Sequence, residues 1–456
     1  MKTYDSASIR KVAFASFTGT AIEWFDFFLY NVATWLVFKR LFFQGGSGWA
    51  GALDAYVAYA VGFIARPVGG MVCGHFGDRI GRKSMLVFAL IITGGATFII
   101  GLLPGYSNLG LLAPLLLVMM RFAQGFGIGG EWGGAALMAI EHAPGHRRGF
   151  YGSWPQMGVP AGLFLSYLVF FGIGHLPPDV QEWAWRVPFL MSGLLVALGL
   201  YIRLSVAESP MFDAVRQSCS KLPLRDIWRQ QRRAVMLAMG AKLAENGAFY
   251  IYTFFVLLFA DSIELKRTKL LMAISLAALL MMVTIPAFGR LSDRFGRRVV
   301  YLCGAVFTGL FIFPFFWLVA TKQTGWVILA AVPALAFGWA AMYAPQASFF
   351  SELFDTRVRY SGASLGAQVA TIFAGGLMQI IAVALLKETG NFWPVALIVV
   401  GMCAVTMASV LLSVETAHKD IRPKLEVRLV QDVVYEGRGQ SRNVGHLRSD
   451  VQTVVE

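Results

Sequence analysis

GHFGDRIGRK at Gly74–Lys83 and GRLSDRFGRR at Gly289–Arg298 are one ten-residue pattern written twice, 215 positions apart. Each copy has glycine at its first and eighth places, aspartate at its fifth, and basic residues at its sixth and ninth. Each stands between two long apolar runs. Such repetition means that the chain is two copies of one unit. Other landmarks recur with it. Glu141 stands seven residues before Arg148, and Glu352 seven before Arg359, an offset of 211. Glu208-Ser209 and Glu415-Thr416 close the two halves at an offset of 207, so the unit was duplicated with small changes of length.

What kind of unit follows from composition. Of 456 residues, 57% are hydrophobic and only 14% charged, with a mean hydropathy of +0.62. Soluble domains carry about 25% charged residues, so this chain cannot cover a water-facing surface of its size. The apolar residues come in blocks of about 20 or more, the length that crosses a hydrocarbon core of roughly 30 Å as a helix. Spans are expected at about 12–40, 50–73, 84–103, 110–141, 148–173 and 185–206, and again at about 234–260, 268–289, 299–320, 325–353, 360–386 and 392–414. The fold class is an all-α membrane protein of twelve transmembrane helices in two pseudo-symmetric six-helix bundles. The expected domains are 1–207, a linker at 208–233, 234–414, and a polar, basic tail at 415–456 whose run Leu425–Val434 holds at most two helical turns. Paired six-helix halves place a transporter's site near the midplane between them.

The net charge of +13 does not indicate nucleic acid, because the basic residues lie in short loops, the linker and the tail. They gather at the N-terminus, the two repeats, Arg147–Arg148, Arg216–Arg233 and Arg357–Arg359, and the positive-inside rule puts both termini in the cytoplasm. The N-terminus MKTYDSASIRK is too short and polar for a cleaved signal. Cys73, Cys219, Cys303 and Cys403 show neither a disulfide framework nor metal-ligand spacing, and no metal or cofactor is expected.

The repeats have the chemistry of a clasp. Asp78 suits the positive end of a helix on the far side of its half. Arg79, Arg82 and Lys83 can pair with Glu141 and Glu208, and the glycines permit a tight turn and close backbone approach. Asp293, Arg297, Glu352 and Arg359 repeat the set, with Arg148 beside them. These groups are the expected conformational gate, which holds the cytoplasmic side shut. The plainer reading is a set of positive-inside anchors, and the matched acids in both copies argue against it.

Charges inside the membrane cost roughly 2.5–3.5 kcal/mol each on insertion scales, so they face a cavity or a partner. There are four acids, Glu23, Asp26, Glu131 and Glu245, against three bases, Arg66, Arg121 and Lys242. Glu23, Asp26 and Tyr30 share a helix face, as do Arg121 and Gln124, and Lys242, Glu245, Asn246 and Thr253 lie in one stripe. Arg121 and Lys242, on opposite halves, are the expected clamp on a carboxylate. Asp26 and Glu245 are the expected proton-coupling acids, with Glu23 a further candidate and Arg66 the partner of Asp26. Each can also be read as a permanent helix–helix salt bridge. Tyr250, Gln346 and Gln368 are candidate substrate contacts, and Tyr343 and Gln379 secondary ones.

The two repeats, RFAQGFGIGGEWGGAALMAIEHAP and ELFDTRVRYSGAS resemble the major facilitator superfamily. AIEWFDFFLY, ARPVGGMVCGHFGDRIGRK and RVPFL narrow the resemblance to its metabolite:proton symporters, which include shikimate, α-ketoglutarate and proline/betaine permeases. LGAQVATIFAGG is similar to shikimate-type permeases, although Lys242 stands where arginine is expected. The resemblance covers about residues 10–415 and implies proton-coupled uptake of a small organic acid or zwitterion by alternating access. The implied partners are that substrate, the proton and the bilayer, with the chain expected to work as a monomer. A uniporter, a drug:proton antiporter and a non-transporting nutrient sensor share the fold.

Two lookalikes fall away. Gly125, Gly127 and Gly130 match GxGxxG but sit inside an apolar helix, where Gly129–Gly133 and Gly130–Gly134 read as helix packing. There is no GxxxxGK[ST], HExxH or GxSxG, so no enzyme is expected.

Overall fold

Long apolar runs punctuated by single glycines and short charged turns can satisfy every backbone group inside a bilayer only as helices. A computed structural model describes residues 6–43, 49–205, 223–417 and 419, and shows this arrangement. Among the described residues twelve long helices follow one another. The first six are α1 (Ser6–Ala33), α2 (Trp49–Ile80), α3 (Arg82–Leu102), α4 (Leu112–His142), α5 (Arg148–Ile173) and α6 (Arg186–Leu204). The last six are α7 (Arg232–Ser262), α8 (Arg267–Phe295), α9 (Arg297–Ala320), α10 (Thr324–Leu353), α11 (Arg359–Thr389) and α12 (Trp393–Leu412). Among the described residues ten helices, α3 to α12, are long and apolar enough to cross a membrane. The other two, α1 and α2, carry Glu23, Asp26 and Arg66. Large apolar side chains such as Leu111, Leu194, Leu310 and Leu397 are exposed on the outside of the bundle, where a bilayer would cover them.

The repeated stretches are not loops. α2 runs on through Gly74–Ile80, and α8 through Phe295; the chain turns on one glycine each time, Gly81 (φ 132°) and Gly296 (φ 100°). Both angles lie in the region that side-chain-bearing residues rarely adopt, which is why the eighth place is glycine twice. Helical geometry then puts the first and fifth places, Gly74 and Asp78 or Gly289 and Asp293, on one face.

Within the first six helices α1 packs on α5, and α2 and α3 on α4; between the two sets the broad contacts are α5 on α8 and α2 on α11. The small-residue stripe packs as its spacing suggested, since a Cβ on Gly129 would lie 2.0 Å from Arg66 O and one on Gly130 2.3 Å from Cys73 Sγ, both on α2; Gly125 extends it, with a Cβ there 2.0 Å from Gly62 O. A short π turn continues α1 at Thr34–Phe38, and others interrupt α7 at Ile251–Phe255, α10 at Pro333–Trp339 and α11 at Ile372–Leu377. Such turns re-aim the side chains beside them.

Two boundaries move. Pro223–Gln230, expected as linker, is a helix that leads directly into α7. Glu415–Ala417, expected as tail, packs back onto α9 and α10 and belongs to the bundle. The linker residues Glu208, Arg216, Cys219 and Lys221 and the tail beyond Lys419 lie outside the described residues.

Candidate functional site

A narrow cavity, with about 20 Å³ open to water, lies between the first and last six helices. Trp24, Arg66 and Trp132 line it from α1, α2 and α4; Lys242, Glu245, Asn246 and Tyr250 from α7; Trp339 and Tyr343 from α10; and Gln368 from α11. Lys242 Nζ is 2.6 Å from Glu245 Oε2 and donates to Gln346 Oε1 at 2.7 Å. Glu245 also accepts from Trp339 Nε1 at 3.0 Å and Gln346 Nε2 at 3.2 Å, and Gln346 reaches the Tyr301 hydroxyl. Gln346 thus stands behind the ion pair and outside the cavity lining.

Across from this pair, the Arg66 guanidinium lies over Phe27 (4.4 Å), Phe63 (4.5 Å) and Trp24 (5.2 Å). Its Nε and one Nη, together with Trp24 Nε1 and Asn246 Oδ1, are buried and hydrogen-bond to nothing in the protein. Such orphaned groups are costly unless a ligand or water satisfies them. With Arg66 and Lys242 against Glu245, the ionised lining carries one excess positive charge.

Contacts between the two halves flank the cavity at both ends. On one side Tyr250 packs edge-on against Phe63 (5.0 Å), Phe28 against Phe249 and Phe254, and the Tyr167 hydroxyl donates to Thr253 O at 3.0 Å. On the other, Trp132 Nε1 donates to Gln156 Oε1, and Gln156 Nε2 to Tyr343 O at 3.0 Å.

Several expected partners are rearranged. Arg121 and Gln124 do share a face, but that face looks at α1 and α3. Arg121 donates to Asn31 (2.9 Å) and Gln124 (3.2 Å) and stacks on Phe27 and Tyr30, while Gln124 donates to Thr97. The cation that faces Lys242 across the cavity is Arg66 instead. Asp26 does not pair with Arg66: its carboxyl, 1% exposed, accepts from Ser192 on α6 and contacts Thr97 on α3. Glu23 and Glu131 are held by Arg203 of α6, with 3.1 Å to each. Arg203 was not among the residues singled out in the sequence. It supplies the fourth base that four acids against three called for. Gln156 had no signal beyond being a lone amide in an apolar helix.

The face assigned to the cytoplasm carries a crossed clasp. Asp78 of α2 accepts from Tyr360 N (3.2 Å), Ser361 N (2.9 Å) and Ser361 Oγ (2.8 Å), so it caps α11 in the opposite half. Asp293 of α8 accepts from Gly149 N (2.8 Å) and Phe150 N (2.9 Å), capping α5 in return. The first glycine of each repeat makes this approach possible: a Cβ on Gly74 would lie 2.8 Å from Ser361 Cα, and one on Gly289 2.6 Å from Gly149 O. Charge pairs flank the caps. Glu141 holds Arg82 (3.1 Å) and Arg359 (3.2 Å), and Glu352 holds Arg297 (3.3 Å) and Arg148 (3.8 Å). Arg79 is the exception: it is exposed, and among the described residues its recorded contact is the His75 ring in its own helix, at 3.2 Å. The tenth places also repeat a role: Lys83 donates to Leu204 O at the end of α6, and Arg298 to Val410 O and Leu411 O at the end of α12.

Glu415 accepts from the backbone N–H of Arg297 and Arg298, capping α9. Partial burial pushes its carboxyl up, but the N–H donors of Arg297, Ala417, Arg298 and Thr416 outweigh that and hold it below the ordinary value.

Comparison with known proteins bears on this arrangement. The pattern of the Major Facilitator Superfamily matches residues 16–374. The chain is 39% identical over 426 residues to the inner membrane metabolite transport protein YhjE of Escherichia coli, covering 91% of this chain and 96% of that one. It is 38% identical to the shikimate transporter of Escherichia coli (90% and 95% covered) and 30% identical to its proline/betaine transporter (92% and 86% covered). Among solved structures, the proton:xylose symporter XylE bound to 6-bromo-6-deoxy-D-glucose superposes with a TM-score of 0.72 at 17% identity, covering 92% of this chain and 98% of that one. The chain belongs to the Major Facilitator Superfamily and is a multi-pass membrane transporter of metabolites.

Proposed function

We propose that this member of the Major Facilitator Superfamily imports a small organic acid together with a proton, by alternating access of two six-helix bundles in a bacterial inner membrane. The observation that carries the reading is the cavity's charge and its unmet donors. Arg66 and Lys242 outweigh Glu245, and Arg66 and Trp24 hold N–H groups that no protein atom accepts. A carboxylate satisfies a guanidinium edge with paired hydrogen bonds, and the ionised form makes these bonds stronger. Asn246, Tyr250 and Gln368 are placed to meet hydroxyls on the same molecule. Shikimate, the cargo named for one relative, has this combination of one carboxylate and several hydroxyls.

Asp26 is the coupling acid in this reading. It stands apart from the cargo, and hydroxyls are its partners, which can donate to a carboxylate or accept from a carboxylic acid. Glu245 couples the cavity to the same cycle through Lys242, which can trade its carboxylate for that of the cargo. The crossed clasp is the cytoplasmic gate, and Arg121 orders the α1–α4 wall behind Arg66.

A zwitterion is the second reading, because Trp24, Trp132, Trp339 and Tyr343 offer ring faces to a quaternary ammonium group. The excess positive charge weighs against it. Purified protein in proteoliposomes should take up shikimate faster when the outside is made acidic, and should prefer it to proline and betaine. Uptake indifferent to the proton gradient would refute symport, and preference for betaine would favour the zwitterion.

A further inference from the structure

Glu23 and Glu131 are buried, yet they lie outside the central cavity. Both carboxyls approach the same Arg203 nitrogen at 3.1 Å, and Thr20 Oγ1 donates to Glu131 Oε1 at 2.8 Å. The two carboxyls are also within hydrogen-bond reach of each other. Glu23 Oε2 and Glu131 Oε2 are buried with no donor. Two carboxylates on one guanidinium leave an uncompensated buried charge, which is strongly disfavoured. One proton between the two carboxyls removes it and supplies the missing donor. The other titratable or charged groups facing the pair are Asp26 on α1, Cys73 on α2, Lys83 on α3, Arg203 on α6, Tyr343 on α10 and Tyr360 on α11. Among these only Arg203 pairs with the two acids as a cation.

A second cavity, with about 20 Å³ open to water, begins at Arg203 and lies between α1, α3, α4 and α6. Ala15, Ser16 and Ala135 line it, and its far end is at Lys83, the tenth place of the first repeat, on the face assigned to the cytoplasm. Ser16, Lys83 and Arg203 give water the polar partners it needs to stay in such a space.

We infer that Glu23 and Glu131 hold one proton between them under Arg203, and that the cavity beneath Arg203 delivers it to the cytoplasmic face without passage through the substrate cavity. As a step in symport this rests on the proposed function, since it gives the imported proton an exit separate from that of the cargo. The step is a proton transfer from the carboxyl pair to water in the second cavity, which leaves both carboxylates on Arg203 until a proton returns.

Infrared spectroscopy on the purified full chain in lipid films tests the inference without any cargo. One protonated-carboxyl band should be present at neutral pH and absent from both Glu23→Gln and Glu131→Gln, because the remaining single acid pairs with Arg203 as a carboxylate. The band should persist in Asp26→Asn. A band that survives either glutamine substitution, or disappears only with Asp26→Asn, overturns the shared proton. In deuterated buffer the same band should shift at least ten-fold more slowly when Ala135→Met fills the second cavity, with Ala15→Val as the milder filler. Native exchange rates in both fillers overturn the exit route. A native protein with the band but no gradient-driven shikimate uptake refutes symport and leaves the pair standing; gradient-driven uptake without the band does the reverse.

Discussion

Replacing Asp78 with asparagine tests the crossed clasp most directly. The aspartate receives three hydrogen bonds from the first turn of α11, two from backbone N–H groups and one from Ser361 Oγ. Asparagine keeps one acceptor oxygen but turns an amide NH₂ towards further donors, and it removes the negative charge from a helix N-terminus. A hydrogen bond to a charged group contributes about 1.5–3 kcal/mol and a charge at a helix end about 0.3–2 kcal/mol. Because part of the cap survives, the closed state should lose about 2–3 kcal/mol, or about 30- to 150-fold in the open-to-closed ratio. Ser364 is a suitable reporter, because it is buried on α11 where it meets Gly70 and Gly133. In a chain with its native cysteines replaced by alanine, Ser364→Cys should react with a maleimide added from the cytoplasmic side. Asp78→Asn should raise that rate by the predicted factor. An unchanged rate, in a protein that melts normally, refutes the clasp as the element that holds this side shut.

Arg66→Ala should raise the apparent KM for shikimate at least ten-fold, since one lost charge-assisted bond is worth about 1.5–3 kcal/mol. Arg121→Ala should instead lower the melting temperature, because it removes the side chain that ties α1 to α4. Similar KM effects from both would place Arg121 in the binding site after all. Gly289→Ala puts a methyl group 2.6 Å from Gly149 O and should favour the cytoplasm-open state in the same maleimide assay. Gly125→Ala, which clashes only within the first six helices, should lower stability without changing reporter labelling. For Glu415 the folded carboxyl is held below its unfolded value, so its stabilisation is complete above the unfolded value and fades as pH falls through the folded one. Glu415→Gln should cost at most about 1 kcal/mol at neutral pH once solvent screening is discounted, and progressively less as the pH falls below the ordinary carboxylate range; a loss that does not change with pH refutes the assignment.

The repeat made the pairing of Arg82 with Glu141 and of Arg297 with Glu352 legible before any coordinates, but not the crossing of Arg359 to Glu141 and of Arg148 to Glu352. Its geometry is local: a glycine and an aspartate one helical turn apart, and an acid seven residues before an arginine. The cavity was harder to read, for a physical reason. Periodicity groups Arg121 with Gln124 on one face correctly, but it does not say which neighbour that face turns to. The rotation of α4 against α2 is set by backbone contacts at Gly125 and Gly129, and it leaves Arg66 rather than Arg121 at the cavity. Arg203 was missed because an arginine near the end of an apolar helix has the same sequence signature as a lipid-headgroup anchor. An excess of unpaired buried acid was the signal that could have found it.

The contacts at the two ends of the central cavity are built from different forces, and this gives the transport cycle an unequal response to its surroundings. In the proposed cycle, opening the cytoplasmic side breaks ion pairs and helix caps that cross the two halves, such as Arg359–Glu141 and Asp78–Ser361. Opening the other side separates aromatic rings such as Phe28, Phe63, Phe249 and Tyr250. Hydrating rings raises the heat capacity, whereas separating charges responds to ionic strength. Warming should therefore bend the equilibrium towards the outside in a curved van't Hoff plot, while salt acts on the inward branch. The same protein would have one gate tuned by temperature and the other by the composition of the cytoplasm.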